Sequence, residues 1–262
     1  MIKKLFSFYK RRIQIPVDKN ALVLDIGSGD KPHWRADILL DKYIDESYAA
    51  QRSGHGKTAV NKPVFDANAE HMPFRDKAFE YVICSHVLEH VENPSKVIEE
   101  LIRVSKAGYI EVPYEGCSKI NDFKSHLWYC KKEDGVLVFT AKKEIAFDAS
   151  IDSLVSKPKI KKGLSKIFHD NFDDCVVAIR WTDTLQWRVR GEPNMNIFTE
   201  SMHTDMKYKP LAFLARTILN TFFKIVLFNK KRRQKINFNS LVKDTYRKDS
   251  DEVLKKKIYS LD

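Results

Sequence analysis

The chain is 262 residues long, and its hydrophobic fraction of 43% and aromatic fraction of 11% exclude an intrinsically disordered protein. Its formal net charge of +11 at pH 7 favours an anionic partner, but nucleic acid, acidic lipid and phosphorylated substrates would all satisfy it. The cysteines show no C-x-x-C spacing, and the basic N-terminus lacks the apolar core of a signal peptide. No stretch has the apolar character of a membrane span, so we expect a cytoplasmic protein.

Short apolar runs alternate with helical stretches from Ala21 to Pro113, which is typical of strands joined by crossovers. One helix is predicted at Asn93–Lys106, with an N-cap at Asn93 and a stop signal at Gly108. This order predicts an α/β fold with a doubly wound, mostly parallel sheet, whose ligand binds at the carboxyl ends of the strands. The predicted strands are Ala21–Gly27, Ala36–Tyr43, Val64–Phe65, Glu80–Ser85 and Tyr109–Pro113.

The second half of the chain predicts an edge hairpin followed by a basic extension. Val176–Trp181 and Leu185–Arg190 predict a C-terminal antiparallel hairpin at the sheet edge, which would complete a domain of residues 1–205. Residues 206–262 would then form an amphipathic helical extension, with a helix at Leu211–Phe228 and a solvated helix or tail from about residue 236.

Two interpretations of the Leu211–Phe228 helix remain open. In the first it packs in the protein core or at a dimer interface. In the second its wide apolar face and the basic cluster after it place residues 207–235 on an anionic surface, the inner face of the cytoplasmic membrane. Arg216, Asn220 and Lys224 argue against a full span. Nucleic acid is disfavoured as a partner, because the basic residues lie beside an aliphatic helix and no recognised RNA- or DNA-binding module is present.

A glycine motif, Asp25-Ile-Gly27-Ser-Gly29, follows the first predicted strand. Two glycines after an acidic strand end let the backbone approach a ligand closely while the carboxylate receives donors. The third glycine of a dinucleotide motif is replaced by Pro32, which argues against NAD. The short stretch from Gly27 to Ala36 also leaves room for only a very short crossover helix, or none.

Acidic residues also end the second and third predicted strands. Asp41 can accept both hydroxyls of a ribose, and the carboxylate of Asp66, beside Ala67, can accept an adenine amino group. Each aspartate taken alone is more often a capping or solvated residue. Because the three lie in order at the carboxyl ends of strands, they favour a nucleoside ligand.

The run DANAEHMPFRDKAFEYVICSHVLEHVENP, from Asp66 to Pro94, resembles the signature of the type 11 family of methyltransferases that use S-adenosylmethionine (SAM). Together with VLDIGSG, the likeness covers about residues 20–115. It implies a class I, Rossmann-like methyltransferase fold with SAM as the cofactor. The residues that the likeness assigns to SAM are Asp25, Gly27 and Gly29 at the methionine end, Asp41 at the ribose, Asp66 and Ala67 at the adenine, and Ser85 and His86 near the sulfonium.

A methyl acceptor that is a hydroxyl or an amine must lose a proton, and histidine titrates in the useful range. The candidates for this catalytic role are His86, His90 and His126. His126 is favoured because, in the fold that the likeness implies, loops after the fifth strand border the acceptor pocket. His90 is as readily structural as catalytic, and His86 can serve simply to shape the pocket. Reserve candidates are Glu89, Glu111 and Tyr114.

No metal is expected, because no cluster in the sequence shows metal-ligand spacing. The segment GSGDKPHWRADILLDKY and an H-x-W element at His126–Trp128 resemble a subgroup linked to bacterial surface-polysaccharide synthesis. That likeness implies methyl transfer to a sugar of a surface glycan or its lipid- or nucleotide-linked precursor. The alternatives are a catalytically silent, SAM-binding, membrane-associated interaction protein, or a methyltransferase that acts on a lipid, a quinone or RNA.

Overall fold

The computed structural model describes residues 14–42, 44, 58–120, 125–142, 153–196 and 235–261. The main strands in these ranges are β1 (Val23–Ile26), β2 (Ile38–Asp41), β3 (Val64–Asp66), β4 (Phe79–Ser85), β5 (Ser105–Pro113), β6 (Trp128–Glu133), β7 (Val136–Ala141), β8 (Val176–Thr182), β9 (Trp187–Arg190) and β10 (Ile258–Tyr259). The helices are α1 (Pro94–Val104), α2 (Glu115–Ile120) and α3 (Pro158–Asp170).

Seven strands form the central sheet, in the order β10-β3-β2-β1-β4-β5-β8. All neighbours are parallel except β8, which runs antiparallel to β5. The chain moves outward from β1 through β2 to β3, and then returns to start the other half of the sheet at β4. The order therefore reverses between β1 and β4, where ligands bind in doubly wound sheets. The predicted doubly wound sheet is confirmed, and residues 27–37, between β1 and β2, contain no helix.

Complete burial of the central strands explains why they read as continuous apolar runs. Every residue of β1 and β2 is buried, as expected for strands covered on both faces. Helix α1 begins as predicted, with Pro94 in its first turn and the Asn93 side chain accepting a hydrogen bond from the Lys96 backbone N–H. Its apolar stripe, which includes Val97 and Leu101, is buried in the core.

Gly108 does not stop helix α1, contrary to the prediction. The helix ends at Val104, and Gly108 lies within β5, directly opposite Trp181 of β8. A Cβ at Gly108 would come within 2.7 Å of the Trp181 indole. The glycine is needed for this close approach between strands rather than for a helix end.

The predicted C-terminal hairpin of Val176–Trp181 with Leu185–Arg190 is wrong in its pairing. β8 takes the edge position antiparallel to β5, but β9 pairs with β7 in a second sheet of order β6-β7-β9. Trp187 turns towards helix α1, where its Nε1–H donates to Ser95 Oγ at 3.0 Å. The hairpin that does form joins β6 and β7 through Asp134-Gly135, both with positive φ. Such an Asp-Gly turn is a recognisable hairpin signal, and it is the one that the sequence analysis missed.

The solvated helix or tail predicted from residue 236 is also wrong for residues 235–261. Phe238, Leu241, Val242 and Tyr259 are buried in the main core, and β10 pairs with β3. The Phe65 and Tyr259 rings stack at 5.3 Å. This part of the proposed extension therefore completes the domain. A few apolar side chains at irregular spacing anchor it, which no periodic pattern could reveal.

The predicted helix at Leu211–Phe228 lies outside the described residues. Among the helices that the structure describes, none has the length and apolar character needed to cross a membrane.

Candidate active site

A cleft of about 190 Å³ opens at the carboxyl ends of β1, β2 and β4, beside the point where the strand order reverses. Four residues predicted for the SAM site lie in its lining: Gly27, Asp41, Ala67 and His86. His90, a predicted catalytic candidate, also lines it. The cleft therefore brings the two predicted halves of the site, for nucleoside and for acceptor, into one space.

The glycine loop forms one wall of the cleft through its backbone. Gly27 and Gly29 have φ of +62° and +48°, in the left-handed region that favours glycine. A Cβ added to Gly27 would overlap the Val87 side chain. The Gly29 N–H donates to Asp41 Oδ2 at 2.8 Å, so the loop is tied to the end of β2.

Asp25 and Asp41 are both buried, but they have different surroundings. Asp41 lines the cleft, and one of its carboxylate oxygens is held by Gly29. Asp25 is outside the described lining, and its Oδ2 accepts a hydrogen bond from the His33 backbone N–H at 2.7 Å. Its carboxylate thus organises the loop between β1 and β2.

The remaining predicted SAM residues lie at the rim or behind it. Asp66 is exposed at the end of β3, in register with Asp41, while Ala67 lines the cleft. Ser85 ends β4 outside the described lining, and its Oγ donates to Glu111 Oε1 at 3.1 Å. The structure therefore brings Gly27, Asp41, Ala67 and His86 together but leaves Asp25, Gly29, Asp66 and Ser85 off the described lining.

His86 is the most exposed of the three candidate histidines, with 35% of its side chain accessible. Its φ of +56° lies in the left-handed region, which costs a non-glycine residue about 1–2 kcal/mol. Its backbone N–H donates to the Glu111 carbonyl at 2.8 Å. Its ring nitrogens lie 3.2 Å from Glu89 Oε1 and 3.3 Å from Glu111 Oε1. Burial opposes protonation of the imidazole, but hydrogen bonds to Glu111 and Glu89 outweigh it and raise the pKa of His86 to about 9.

The carboxylates behind His86, Glu89 and Glu111, are both fully buried. Glu111 is well bonded, since its Oε2 accepts from Tyr109 Oη at 2.5 Å and its Oε1 accepts from Ser85. Glu89 Oε2 has no hydrogen-bond partner within the described part of the chain. These two reserve candidates therefore contact the His86 ring from the protein interior. The third, Tyr114, is 39% exposed and outside the described lining of the cleft.

His90 and His126 pack edge to face, with ring centroids 4.7 Å apart. Their Nε2 atoms lie 4.0 Å and 3.9 Å from Glu89 Oε1. Burial lowers the pKa of His90, and burial together with the charges of His90, Lys142 and His86 lowers that of His126 well below its usual value. His126 is not among the described residues that line the cleft, so the favoured base lies behind His90.

The loop that carries His126 is clamped onto the turn after β4. The Leu127 backbone N–H donates to the Glu89 carbonyl at 2.7 Å, and Trp128 Nε1–H donates to the Val91 carbonyl at 2.8 Å. The H-x-W element and the L-E-H element, Leu88-Glu89-His90, thus form one structural unit. No local pattern connects the two elements, because 35 residues separate the backbone carbonyl of Ser125 from the His90 ring that it contacts.

Residues 24–110 match the family model described as a methyltransferase domain, a range that runs from β1 into β5 and includes the glycine loop, His86 and Glu89. The chain carries a SAM-dependent methyltransferase domain. The match, together with the sheet order, confirms the predicted class I fold and SAM as the cofactor of the methyltransferase domain.

An uncharacterised protein of Methanocaldococcus jannaschii is 47% identical over 45 residues, which cover 17% of this chain and 22% of that protein. The chain thus matches about a fifth of the length of this relative.

Among solved structures, the methyltransferase domain is similar to the YcgJ protein of Bacillus subtilis (16% identity, TM-score 0.33, 69% of this chain and 97% of that one). It is similar to a protein of Listeria monocytogenes described as a SAM-dependent methyltransferase (14% identity, TM-score 0.38, 70% of this chain and 98% of that one). It is also similar to a chain from the complex of the Haloferax volcanii Trm112 methyltransferase activator with a methyltransferase (13% identity, TM-score 0.40, 68% of this chain and 93% of that one). These likenesses are remote.

Proposed function

We propose that the protein transfers the methyl group of SAM to a hydroxyl or an amine of a small acceptor. The observation that carries this proposal is that Gly27, Asp41, Ala67 and His86 line a single cleft where the strand order reverses. The first three suit a nucleoside, and the fourth suits an acceptor that must lose a proton.

In the proposed complex, the methionine end of SAM lies against the glycine loop and its ribose lies at Asp41. Because Gly29 holds one oxygen of Asp41, the carboxylate is oriented before SAM arrives. Asp66 and Ala67 take the adenine, and Ser85 and His86 border the sulfonium. We assign Asp25 an indirect role through the loop backbone that it holds.

For the acceptor side, we propose that His86 orients the acceptor and receives its proton only in the neutral form of the ring, when one nitrogen is released from Glu89 or Glu111. Because the pKa of His86 is raised to about 9, this form increases as the pH rises towards that value. His86 reaches the cleft, and its two nitrogens face Glu89 and Glu111, so positive charge that arrives on the ring is stabilised. His90 forms part of the wall and His126 supports it from behind. This assignment moves the favoured base from His126 to His86, because proton transfer requires contact with the acceptor.

We propose a sugar as the acceptor, in a surface glycan or in its lipid- or nucleotide-linked precursor. The support is the likeness of GSGDKPHWRADILLDKY and of His126-Leu127-Trp128 to the subgroup linked to polysaccharide synthesis. The net charge of +11 suits a phosphate-linked substrate. Lipid, quinone and RNA acceptors are the alternatives that the acceptor screen has to separate.

The first test is calorimetric titration of the full chain with SAM and with S-adenosylhomocysteine. We expect binding of both, lost in Gly27→Arg and in Asp41→Ala. The same protein is then incubated with methyl-labelled SAM and, in separate reactions, nucleotide sugars, lipid-linked sugars, a lipid, a quinone or RNA. A folded wild type that binds neither nucleoside would contradict the proposal and would favour the interaction-protein alternative.

We also propose that residues 207–235 bind an anionic membrane surface at the inner face of the cytoplasmic membrane. The support is the apolar and basic composition of the segment, nearly all of which lies outside the described residues. Liposome flotation of the protein with and without residues 207–235 tests this. Equal partitioning of the two proteins would contradict it.

A further inference from the structure

Beside the cleft, three side chains present potential metal ligands to one another. Carboxylate and imidazole atoms of Glu89, His90 and His126 all lie within 4.8 Å, the one such group among the described residues. Glu89 Oε1 is 3.9 Å from His126 Nε2 and 4.0 Å from His90 Nε2. In a tetrahedral site with bonds of about 2.0–2.1 Å, donor atoms lie roughly 3.4 Å apart. Each ligand would need to move inward by only roughly half an ångström to enclose an ion.

The hydrogen bonding of His90 suits a ligand. Its Nδ1 lies 3.2 Å from the Ser125 carbonyl oxygen, which can only accept, and 3.2 Å from Ser125 Oγ. The proton therefore belongs on Nδ1, and Nε2 turns a lone pair towards Glu89. Metal-binding histidines characteristically donate their other nitrogen to a backbone carbonyl in this way.

The buried carboxylate of Glu89 is a second observation that favours a cation: Oε1 faces His90 and His126, and an ion bound there would also neutralise the charge shared with Oε2. The side chain is completely buried, and its Oε2 has no hydrogen-bond partner among the described residues. A buried carboxylate oxygen without a donor is costly. His86 contacts the other oxygen but also contacts Glu111, so one imidazole is shared between two buried carboxylates.

We propose that Glu89, His90 and His126 bind a divalent transition-metal ion of the zinc or iron(II) type, with an open coordination position towards the cleft. Two imidazoles and one carboxylate form the three-ligand set that such ions use when a fourth position is left for substrate. Mg²⁺ is disfavoured, because it prefers an all-oxygen octahedral shell. The positive charge of Lys142 acts on both histidines and repels a metal ion bound between them. We therefore expect the affinity for the ion to be moderate.

The open coordination position could bind the acceptor, a role that rests on the proposed function. Metal binding by the three ligands does not depend on that function. A hydroxyl bound to the ion would lose its proton more readily, with the proton passing to water at the mouth of the cleft. The hydroxyl oxygen would then bond to the methyl carbon while the carbon–sulfur bond breaks, releasing S-adenosylhomocysteine. His90 contacts both the cleft and the metal ligands, so the site is adjacent to the proposed acceptor.

The test is titration of the full chain, freed of metal with a chelator, with Co²⁺ as a spectroscopic probe. We expect one Co²⁺ per chain, with the visible absorption of a nitrogen–oxygen site. His126→Ala should weaken binding by at least about 10–100-fold, since even residues that merely support ligands have effects of that order. His71→Ala is the matched control, because His71 is exposed and outside the cluster. Its affinity for Co²⁺ should equal that of the wild type.

Two further measurements separate loss of the site from loss of the fold. His126→Ala should still bind SAM, because His126 is not among the described residues that line the cleft. His126→Cys should restore cobalt binding and add a thiolate-to-cobalt charge-transfer band. Absence of saturable Co²⁺ binding by the wild type, or equal affinity in His126→Ala and His71→Ala, would overturn the metal site. Because neither readout involves methyl transfer, failure here is distinct from failure of the proposed function.

Discussion

The two walls of the cleft are built in different ways. On the nucleoside wall, Gly27 and Asp41 line the cleft and are joined through the backbone: the loop turns with positive φ, and the Gly29 N–H behind the wall holds the Asp41 carboxylate. On the histidine wall, the contacts that face the cleft are made by side chains: the His86 ring lies 3.2–3.3 Å from the carboxylates of Glu89 and Glu111.

This difference implies different sensitivities. A backbone wall should fail when an atom is added, because its shape depends on the absence of a Cβ. A side-chain wall should fail when charge or hydrogen bonding is removed, because its buried carboxylates need their partners. Substitutions on the nucleoside wall should therefore act mainly on SAM binding, and substitutions on the histidine wall mainly on proton transfer from the acceptor.

The largest effect should come from His86→Asn, which tolerates the left-handed backbone but removes the imidazole. We expect kcat to fall by about 10²–10⁴, the usual contribution of a general acid or base, and the SAM dissociation constant to change by much less. Initial rates at saturating SAM, with the acceptor found by the screen, measure kcat. Calorimetry measures the SAM dissociation constant. His71→Asn serves as the control. A His86→Asn enzyme that kept full kcat would exclude His86 from proton transfer.

Gly27→Ala should distort the nucleoside wall and weaken SAM binding. The new methyl group would overlap Val87 and occupy a strained backbone, so SAM affinity should fall by about a hundredfold or more. Gly135→Ala is matched in backbone, with φ of +88°, but has nothing within 4 Å of its Cβ. It should lose about 1 kcal/mol of stability with unchanged SAM binding. Equal SAM affinity in the two variants, measured by calorimetry, would show that the glycine loop does not contact the cofactor.

Glu111→Gln and Asp25→Asn compare a buried carboxylate from each side. Glu111 contacts the side chains of Ser85, Tyr109 and His86, whereas Asp25 Oδ2 accepts from the His33 backbone N–H. We expect Glu111→Gln to lower the free energy of unfolding by about 2–4 kcal/mol and Asp25→Asn by about 1 kcal/mol. Urea denaturation followed by circular dichroism measures both. The reverse order would contradict the distinction between the walls.

The smallest effect concerns the clamp between the H-x-W and L-E-H elements. Trp128→Phe removes the hydrogen bond to the Val91 carbonyl, whereas the Trp181 indole N–H has no partner among the described residues. Since both indoles are nearly buried, Trp128→Phe should cost about 1 kcal/mol more than Trp181→Phe. Thermal unfolding of the two variants gives the comparison. Identical losses would mean that the bond to Val91 contributes nothing measurable.

Local pattern was sufficient wherever the chain itself determines the geometry. The five strands, the Asn93 cap of helix α1 and the glycine loop at Gly27 were all predicted, with shifts of a few residues at their ends. Continuous apolar runs identify strands buried on both faces, and glycines identify backbone that a side chain would block. Three of the predicted SAM residues, Asp41, Ala67 and His86, follow strand ends and line the cleft for the same reason.

Tertiary structure alone decided which distant segments meet. β9 pairs with β7 rather than with β8, and residues 235–261 complete the core, because such pairings depend on surfaces that other parts of the chain provide. The position of His126 behind His90 and against Glu89 likewise follows from how the loop after β5 docks onto the turn after β4. No spacing in the sequence encodes that contact, since residues far apart become neighbours only when their backbone groups and packed side chains find partners in the folded state.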